Sequence, residues 1–599
     1  MIARPPDPGC RSFSSRLRHS VLILLAVAVI NVWVAGGPAI VFEDVAENVG
    51  LRFQHFVGAT GSFHVPEIYG SGLAVVDYDG DGDLDVYIMQ GTILEKTKSL
   101  KDSLIPPPKD HFPGNRLFRN DLIPTGKLSF TDVTEQAGVA GNGGYGMGVA
   151  VGDYDNDGHP ELYVTNYGRD ILYHNNGDGT FSDISEKALP QPQEESFGSS
   201  AAFLDYDRDG FLDLFVVRYN SFRVEAAKLC TGYAGGREYC GPGDYRPVPC
   251  RLYHNDGHGH FVDVTNKAGV SAAYGNGLGV VCADFDGDGW IDIFVANDKT
   301  PNQCWINKRN GTFEDTALLS GVAFDELGKE HAGMGVTAGD FDGDGDEDIF
   351  IGNIMGETHM LYQNLGEGIF HDATAIYGFA HTTVRYTGFG TLWFDYDNDG
   401  RLEVFVANGE VRAIESLRGS PFPYDQTNQL FHNEGKVFRD VSAESGPAFK
   451  QLAITRGAAF GDIDNDGDTD IAVSNANGPA GLLLNQVGNR NHWLVVRVQG
   501  VTVNRDAYGT RLALLRKGRP PLWRRVAADG SYLSASDPRV HFGLGGDDDM
   551  RSAPLESILV IWPNGSRETW KVPKVDTLMS LREGNGTAVP ADSLRASGP

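Results

Sequence analysis

A nine-residue pattern recurs seven times along this chain and limits what it can fold into more than any other feature. The copies begin at residues 77, 153, 205, 284, 340, 395 and 462, each with carboxylates at positions 1, 3, 5 and 9 and glycine at position 6. Asp284 to Asp292 is a representative copy, reading Asp-Phe-Asp-Gly-Asp-Gly-Trp-Ile-Asp. Glycine at position 6 permits the sharp turn that a loop wrapped around a cation requires. Position 12 is apolar, as at Ile88, Val164 and Val216, and the flanks are strand-like. An EF-hand, which needs Glu at position 12 and flanking helices, is therefore excluded.

The candidate ligands are Asp77, Asp79, Asp81 and Asp85; Asp153, Asp155, Asp157 and Glu161; Asp205, Asp207, Asp209 and Asp213; Asp284, Asp286, Asp288 and Asp292; Asp340, Asp342, Asp344 and Asp348; Asp395, Asp397, Asp399 and Glu403; and Asp462, Asp464, Asp466 and Asp470. Hard oxygens in this number suit Ca²⁺, which accepts about six to eight of them, better than Zn²⁺, which prefers nitrogen and sulfur. Up to seven Ca²⁺ ions are expected. The position 7 carbonyl would complete each shell, so its side chain is free to vary from Asp83 to Trp290 to Arg401. Setting the 28 loop carboxylates aside leaves 52 acidic against 50 basic residues, so the net charge of -30 resides in the loops. That acidity excludes nucleic acid as an electrostatic partner.

The same parts recur around each acidic loop. A Phe-x-Asp-Val strand such as Phe261 to Val264 opens the unit, and a Gly-x-Gly strand such as Gly277-Leu278-Gly279 leads into the loop. An apolar strand such as Ile291 to Val295 leaves it, and Leu-Tyr-x-Asn with a glycine-rich hairpin closes the unit, as at Leu172 to Asn175. Four short strands repeated seven times predict an all-β fold, a seven-bladed β-propeller with calcium loops over residues 40–488. Alternating apolar residues in Trp493 to Val498 and Ile558 to Trp562 predict a separate small β-domain over 489–583, followed by a disordered tail over 584–599. Insertions at 92–114, 218–250 and 410–428 are where specificity is expected.

Residues 1–39 have the layout of a secretory signal peptide, with Arg4, Arg11, Arg16 and Arg18 before the apolar run Val21 to Val34 and small residues after it. No other segment could span a bilayer, so the mature chain is expected to be secreted, periplasmic or at the cell surface. An oxidising compartment favours a bridge in the 218–250 insertion, with Cys230 to Cys240 one of the pairings that its three cysteines leave open. Cys282 and Cys304 lie in apolar strand patterns and read as small buried residues.

The Gly-x-Gly strand followed by Asp-x-Asp-x-Asp-Gly-x-x-Asp resembles the FG-GAP and VCBS repeats of the integrin α-subunit propeller. Asn491-His492-Trp493-Leu494, Asn504 to Gly509, Gly530-Ser531-Tyr532-Leu533-Ser534, His541 to Gly545 and Trp562-Pro563-Asn564-Gly565 resemble the ASPIC/UnbV domain. Together these cover nearly the whole mature chain and resemble the cartilage acidic protein family, with Tyr239-Cys240-Gly241-Pro242 similar to its bacterial members. The resemblance implies an extracellular calcium-binding protein and carries over no catalytic residue.

The function expected is that of a binding or adhesion module for an extracellular protein or glycan. The alternative is a polysaccharide-acting enzyme using the propeller channel. His331, His359 and His381 are its candidate groups, each better read as a solvated or hydrogen-bonded histidine. No Gly-x-Ser-x-Gly or His-Glu-x-x-His motif is present. Asp85, within Leu84-Asp85-Val86, reads as a loop ligand rather than a displayed integrin-binding tripeptide. Arg505 and Asp506 are either an internal pair or a recognition point.

Overall fold

The computed structural model describes residues 41–108, 114–141, 143–190, 196–232, 236–414 and 423–590. The expected signal peptide lies outside them. Each acidic loop joins two antiparallel strands. In the fourth unit Gly277–Ala283 enters the loop and Asp292–Asn297 returns beside it, with Ala283 opposite Asp292. Gln303–Asn307 and Phe313–Asp315 then complete a four-stranded sheet. Ile293, Phe294 and Val295 are fully buried because both faces of the sheet are covered. The other units repeat this order, and units 2 and 3 are joined where Phe197 pairs with Tyr167.

One strand sits differently from its expected place. The Phe-x-Asp strand does not open a unit but closes the sheet before it: Phe130–Asp132 is the outer strand of the sheet begun by Leu73–Val76. A short hairpin delivers it to the third strand, and that local pairing wins. The first copy, Phe42–Asp44, has no preceding sheet and pairs with Gly481–Asn485, the last repeat strand. The first strand of each unit packs beside the first strand of the next, and that of unit 7 beside that of unit 1. The two ends of the repeat array thus meet in one sheet.

A buried asparagine at the end of every third strand locks neighbouring units together. Asn307 Nδ2 donates to Tyr206 O in the preceding unit (2.8 Å) and to Ile291 O in its own (3.2 Å), while its Oδ1 accepts from Arg309 N (2.9 Å). Asn120, Asn175, Asn255, Asn364, Asn433 and Asn485 make the same reach to the preceding unit, and Asn120 crosses to Ile463 of unit 7. All seven are at most 3% exposed.

The carboxy-terminal residues form a three-stranded sheet (Val540–Gly545, His492–Gln499, Leu578–Arg582) and a five-stranded one built on Arg511–Arg516 and Leu555–Ile561. Their core is shared, however: Leu494, Val496, Tyr508 and Trp562 belong to one cluster with Tyr154, Leu172, Phe203 and Leu212 of units 2 and 3. The chain after residue 39 is a single compact unit. The expected tail is partly ordered, since Thr587–Ala588 pairs with Glu568 and Thr569. Backbone pairing at this sheet edge outweighs the polar composition.

Residues 529–537 of this segment fill the centre of the ring and touch all seven units. Asp529 accepts from Cys282 N, Ser531 O from Val336 N and Leu533 O from Val149 N. Leu533 N donates to Ser200 Oγ, Ser531 Oγ to Ala458 O and Ala535 N to Leu73 O. The Tyr532 ring lies 4.8 Å from Phe389. A Cβ on Gly72 would stand 1.8 Å from Leu533 O, which is why the strand entering the first loop needs glycine there. On the other side Pro66–Tyr69 fills the centre, with Tyr69 Oη bonded to Asp298 Oδ2 at 3.0 Å.

Replacing Asn307 with alanine leaves the buried Tyr206 and Ile291 carbonyls without a donor and should cost about 2 kcal/mol. The denaturant midpoint should fall at unchanged slope, whereas Lys308→Ala, on the exposed neighbour, should leave it within about 0.5 kcal/mol.

Candidate metal centre

All seven acidic loops adopt one backbone path. Position 4 is left-handed in every copy, with φ from 56° at Asn398 and Asn465 to 84° at Gly343, and position 6 glycine has φ between 88° and 102°. Only position 6 was legible as a requirement. The signal for position 4 is its residue choice, three Gly and three Asn, with Arg208 as the exception. Arg208 is held there by its guanidinium, 3.9 Å above the Trp290 ring.

Each carboxylate has a separate backbone duty. Position 1 accepts from the position 6 amide, as Asp284 does from Gly289 (3.0 Å) and Asp395 from Gly400 (2.8 Å). Position 5 accepts from position 7 in all seven loops, as Asp288 does from Trp290 (2.8 Å). Position 9 is fully buried and braces the loop against the sheet. Asp292 Oδ2 accepts from Phe285 N (2.9 Å) and its Oδ1 from Asn307 N (2.8 Å). The first of these bonds occurs in all seven copies.

Several inward oxygens are left with no donor: Asp77 Oδ1, Asp205 Oδ1, Asp207 Oδ1, Asp284 Oδ1, Glu403 Oε1 and Asp464 Oδ1. Buried carboxylate oxygens without donors at positions 1, 3 and 9, two in the third loop and one in each of four others, fit a cation site of hard oxygen ligands. Burial, and then the neighbouring carboxylates, push Asp205 up to about 7 and Asp153 up to about 8. Asp340 and Asp462 are each pushed up to about 7, chiefly by burial. Among the described residues, ligand atoms of Asp77, Asp79 and Asp81, and of Asp153, Asp155 and Glu161, lie within 4.8 Å of one another.

The carboxy-terminal residues add basic groups at position 1. Arg497 lies 3.6 Å from Asp77, Arg505 3.5 Å from Asp153 and Arg511 3.7 Å from Asp284. Asp506 Oδ2 accepts from Asp153 N and Arg505 N donates to Asn156 Oδ1, both at 2.7 Å, so both residues dock the domain onto the second loop. His331 is engaged by Asp325 (2.8 Å) and Glu357 (3.3 Å). His359 is fully buried and accepts from Asn353 N, while His381 is exposed. The cysteine insertion is closed by a Cys230–Cys240 disulfide, with Cys250, Cys282 and Cys304 buried and unpaired.

This combination of repeated acidic loops with a carboxy-terminal β-segment defines the class. FG-GAP-like repeat matches cover residues 153–216, 243–295, 284–351 and 341–406, and ASPIC and UnbV covers residues 500–588. The chain is an FG-GAP-repeat protein with a carboxy-terminal ASPIC/UnbV domain. It is related to cartilage acidic protein 1, being 26% identical to the Mus musculus protein over 531 residues, 82% of this chain and 70% of that one. Identity to the Homo sapiens protein is also 26%, over 82% of this chain and 69% of that one. Among solved structures, an Agrocybe aegerita lectin specific for non-reducing terminal N-acetylglucosamine aligns with TM-score 0.37 at 13% identity, over 68% of this chain and 87% of its own. PorZ, a surface component of the type-IX secretion system of Porphyromonas gingivalis, aligns with TM-score 0.40 at 11% identity, over 85% and 59% respectively.

A carboxyl whose folded value is raised stabilises the fold fully below its unfolded value near about 4, and that contribution is lost as pH rises through the folded value. In excess chelator, the melting temperature should therefore fall as pH is raised through about 7, the value for Asp205, Asp340 and Asp462. Differential scanning calorimetry in chelator and in millimolar Ca²⁺ checks this, with the fall expected to disappear when the loops are loaded.

Proposed function

We propose that this chain is a secreted or cell-surface seven-bladed β-propeller, stiffened by Ca²⁺, that serves as a binding or adhesion module for an extracellular protein or glycan. The observation that carries the reading is the sevenfold copy of one loop, each with the same carboxylates and the same backbone bonds. A catalytic constellation is rarely repeated around a ring, whereas a structural ion site is. At about 1 mM Ca²⁺ and a dissociation constant of about 0.1 mM, each site would contribute about 1.4 kcal/mol, or about 10 kcal/mol over seven. The Cys230–Cys240 disulfide supports an oxidising compartment. No helix among the described residues is long and apolar enough to cross a membrane.

Chain order indicates which face would bind. The acidic loops join the first and second strands of each unit, and the ASPIC/UnbV arginines lie against them. The insertions at 92–114, 218–250 and 410–428 all join second to third strands, at the opposite ends of the sheets. Two of them border a groove of about 440 Å³ between units 1, 2 and 3, lined by Leu94, Lys96, Tyr145, Tyr167, Arg169 and Glu225. Aromatic faces beside charged groups suit a sugar or a polar peptide. The ring centre, where a channel enzyme would work, is filled by residues 529–537 and by Pro66–Tyr69.

Equilibrium dialysis of the full chain should find several Ca²⁺ ions bound, and chelation should lower the melting temperature by many degrees. An unchanged melting curve in excess chelator overturns the calcium reading. Glycan-array and cell-surface binding should be lost both on chelation and in Arg169→Ala; binding that survives both places the ligand elsewhere.

A further inference from the structure

Three of the seven loops face an imidazole nitrogen that the other four lack. The residue before the buried asparagine reaches its own acidic loop in units 2, 3, 5 and 6. In units 2, 3 and 6 it is His174, His254 or His432, whereas the remaining units have Arg119, Ile306, Gln363 and Leu484. In each of the three, the same ring nitrogen faces the same two carboxylates. His254 Nδ1 lies 3.0 Å from Asp213 Oδ1 at position 9 and 3.4 Å from Asp207 Oδ2 at position 3. For His174 the distances are 3.2 Å to Glu161 and 3.3 Å to Asp155. For His432 they are 3.6 Å to Glu403 and 3.7 Å to Asp397.

In unit 2 the ligand atoms of Asp155, Asp157 and His174 lie within 4.8 Å of one another, and in units 3 and 6 the histidine contacts do not complete the sites. A proton on Nδ1 can be donated in one direction, yet Asp205, 4% exposed, still has an Oδ1 with no donor, as does Asp207. Glu403, fully buried, has an Oε1 with no donor. A divalent ion shared by the nitrogen and these oxygens would satisfy all of them. Ligand atoms adjacent around an ion with bonds of about 2.1 Å lie about 3 Å apart, close to the separations here. Nitrogen also changes the ion preferred. Imidazole suits zinc and its neighbours in the first transition row, whereas calcium takes oxygen.

We propose that the loops of units 2, 3 and 6 are mixed nitrogen and oxygen sites that accept a divalent transition ion of the zinc class through His174, His254 and His432 Nδ1, while the other four loops accept hard ions only. This rests on the reading that the acidic loops hold cations. It gives one ring two kinds of ion site, distinguished by a single residue on the third strand.

The test uses the full chain, stripped with chelator and dialysed against Zn²⁺ in the presence of millimolar Ca²⁺. Up to three zinc ions should be retained, with imidazole visible in the zinc X-ray absorption spectrum. Each of His174→Gln, His254→Gln and His432→Gln should remove one, with at least a tenfold loss of zinc affinity at that loop. Glutamine is a fair replacement because Gln363 already occupies the corresponding position in unit 5. Calcium bound by the triple variant at its other loops reports that the ring is intact. Zinc retention unchanged in the triple variant, or no zinc retained by a chain that binds calcium, overturns the proposal. Zinc held through the histidines by a chain that binds no calcium would sustain it and overturn the calcium reading instead.

Discussion

The interaction on which this ring depends is the reach of one buried asparagine from each unit to a backbone carbonyl of the unit before it. A sheet packed on both faces buries the ends of its loops, and every carbonyl there needs a donor. Asn307 supplies two such donors and accepts a third bond, so one side chain fixes the end of its own strand, the exit of its own loop and the start of the neighbouring loop. Repeated in every unit, with Asn120 reaching Ile463, the bond runs around the whole array and returns to its start. The position 9 carboxylate does the complementary work by accepting backbone amides. The carboxylates of positions 5 and 9 thus hold backbone amides without a cation, and the candidate ligand oxygens that remain to be satisfied are those of positions 1 and 3 in several loops and of Glu403 at position 9.

Much of this was legible in the chain because ligand chemistry tolerates so little variation. Twenty-eight carboxylates at fixed spacing reveal the loops, their number and the source of the net charge. What was not legible has partners far away in sequence. Leu-Tyr-x-Asn is visible as a motif, but the carbonyl its asparagine bonds lies in another unit, about a hundred residues earlier in the case of Asn307 and Tyr206. Phe42–Asp44 looks like the beginning of a repeat and is the end of one, since a three-residue strand carries no sign of which neighbour it pairs with. Position 4 carries no uniform signal in the sequence because Arg208 breaks an otherwise consistent choice of Gly or Asn.

The segment around Tyr532 was the hardest to place. Gly530-Ser531-Tyr532-Leu533-Ser534 has no strand or helix period, and with Asp529 and Ala535 its bonds and ring contacts run to seven separate units rather than to its own sheets. A loop can lie buried in this way only if its backbone groups find partners, and here the inner strands offer theirs. Glycines such as Gly72 let the strand approach closely enough. The inner strands of the seven units leave a centre that residues 529–537 of the ASPIC/UnbV domain fill from one side and Pro66–Tyr69 from the other. The two sequence families are therefore parts of one folding unit.

That arrangement also bears on the charge of the loop face. Seven clusters of carboxylates arranged around one side of a ring repel one another when ionised, and burial strengthens the repulsion. Arg497, Arg505 and Arg511 oppose it at Asp77, Asp153 and Asp284, at separations of 3.5 to 3.7 Å. Those distances exceed a tight charge-assisted hydrogen bond, so the guanidinium groups lower the potential without using up the oxygens. On the proposed reading, a cation in the first, second or fourth loop would share its position 1 carboxylate with that arginine. Because the same domain both carries these arginines and fills the centre, anything that weakens its seat removes the hub and the compensating charge together. On the proposed reading that the loops hold cations, ion occupancy and docking of the ASPIC/UnbV domain would be coupled: filling the loops would relieve the repulsion the domain must otherwise oppose, and a well-seated domain would hold position 1 ready to receive an ion.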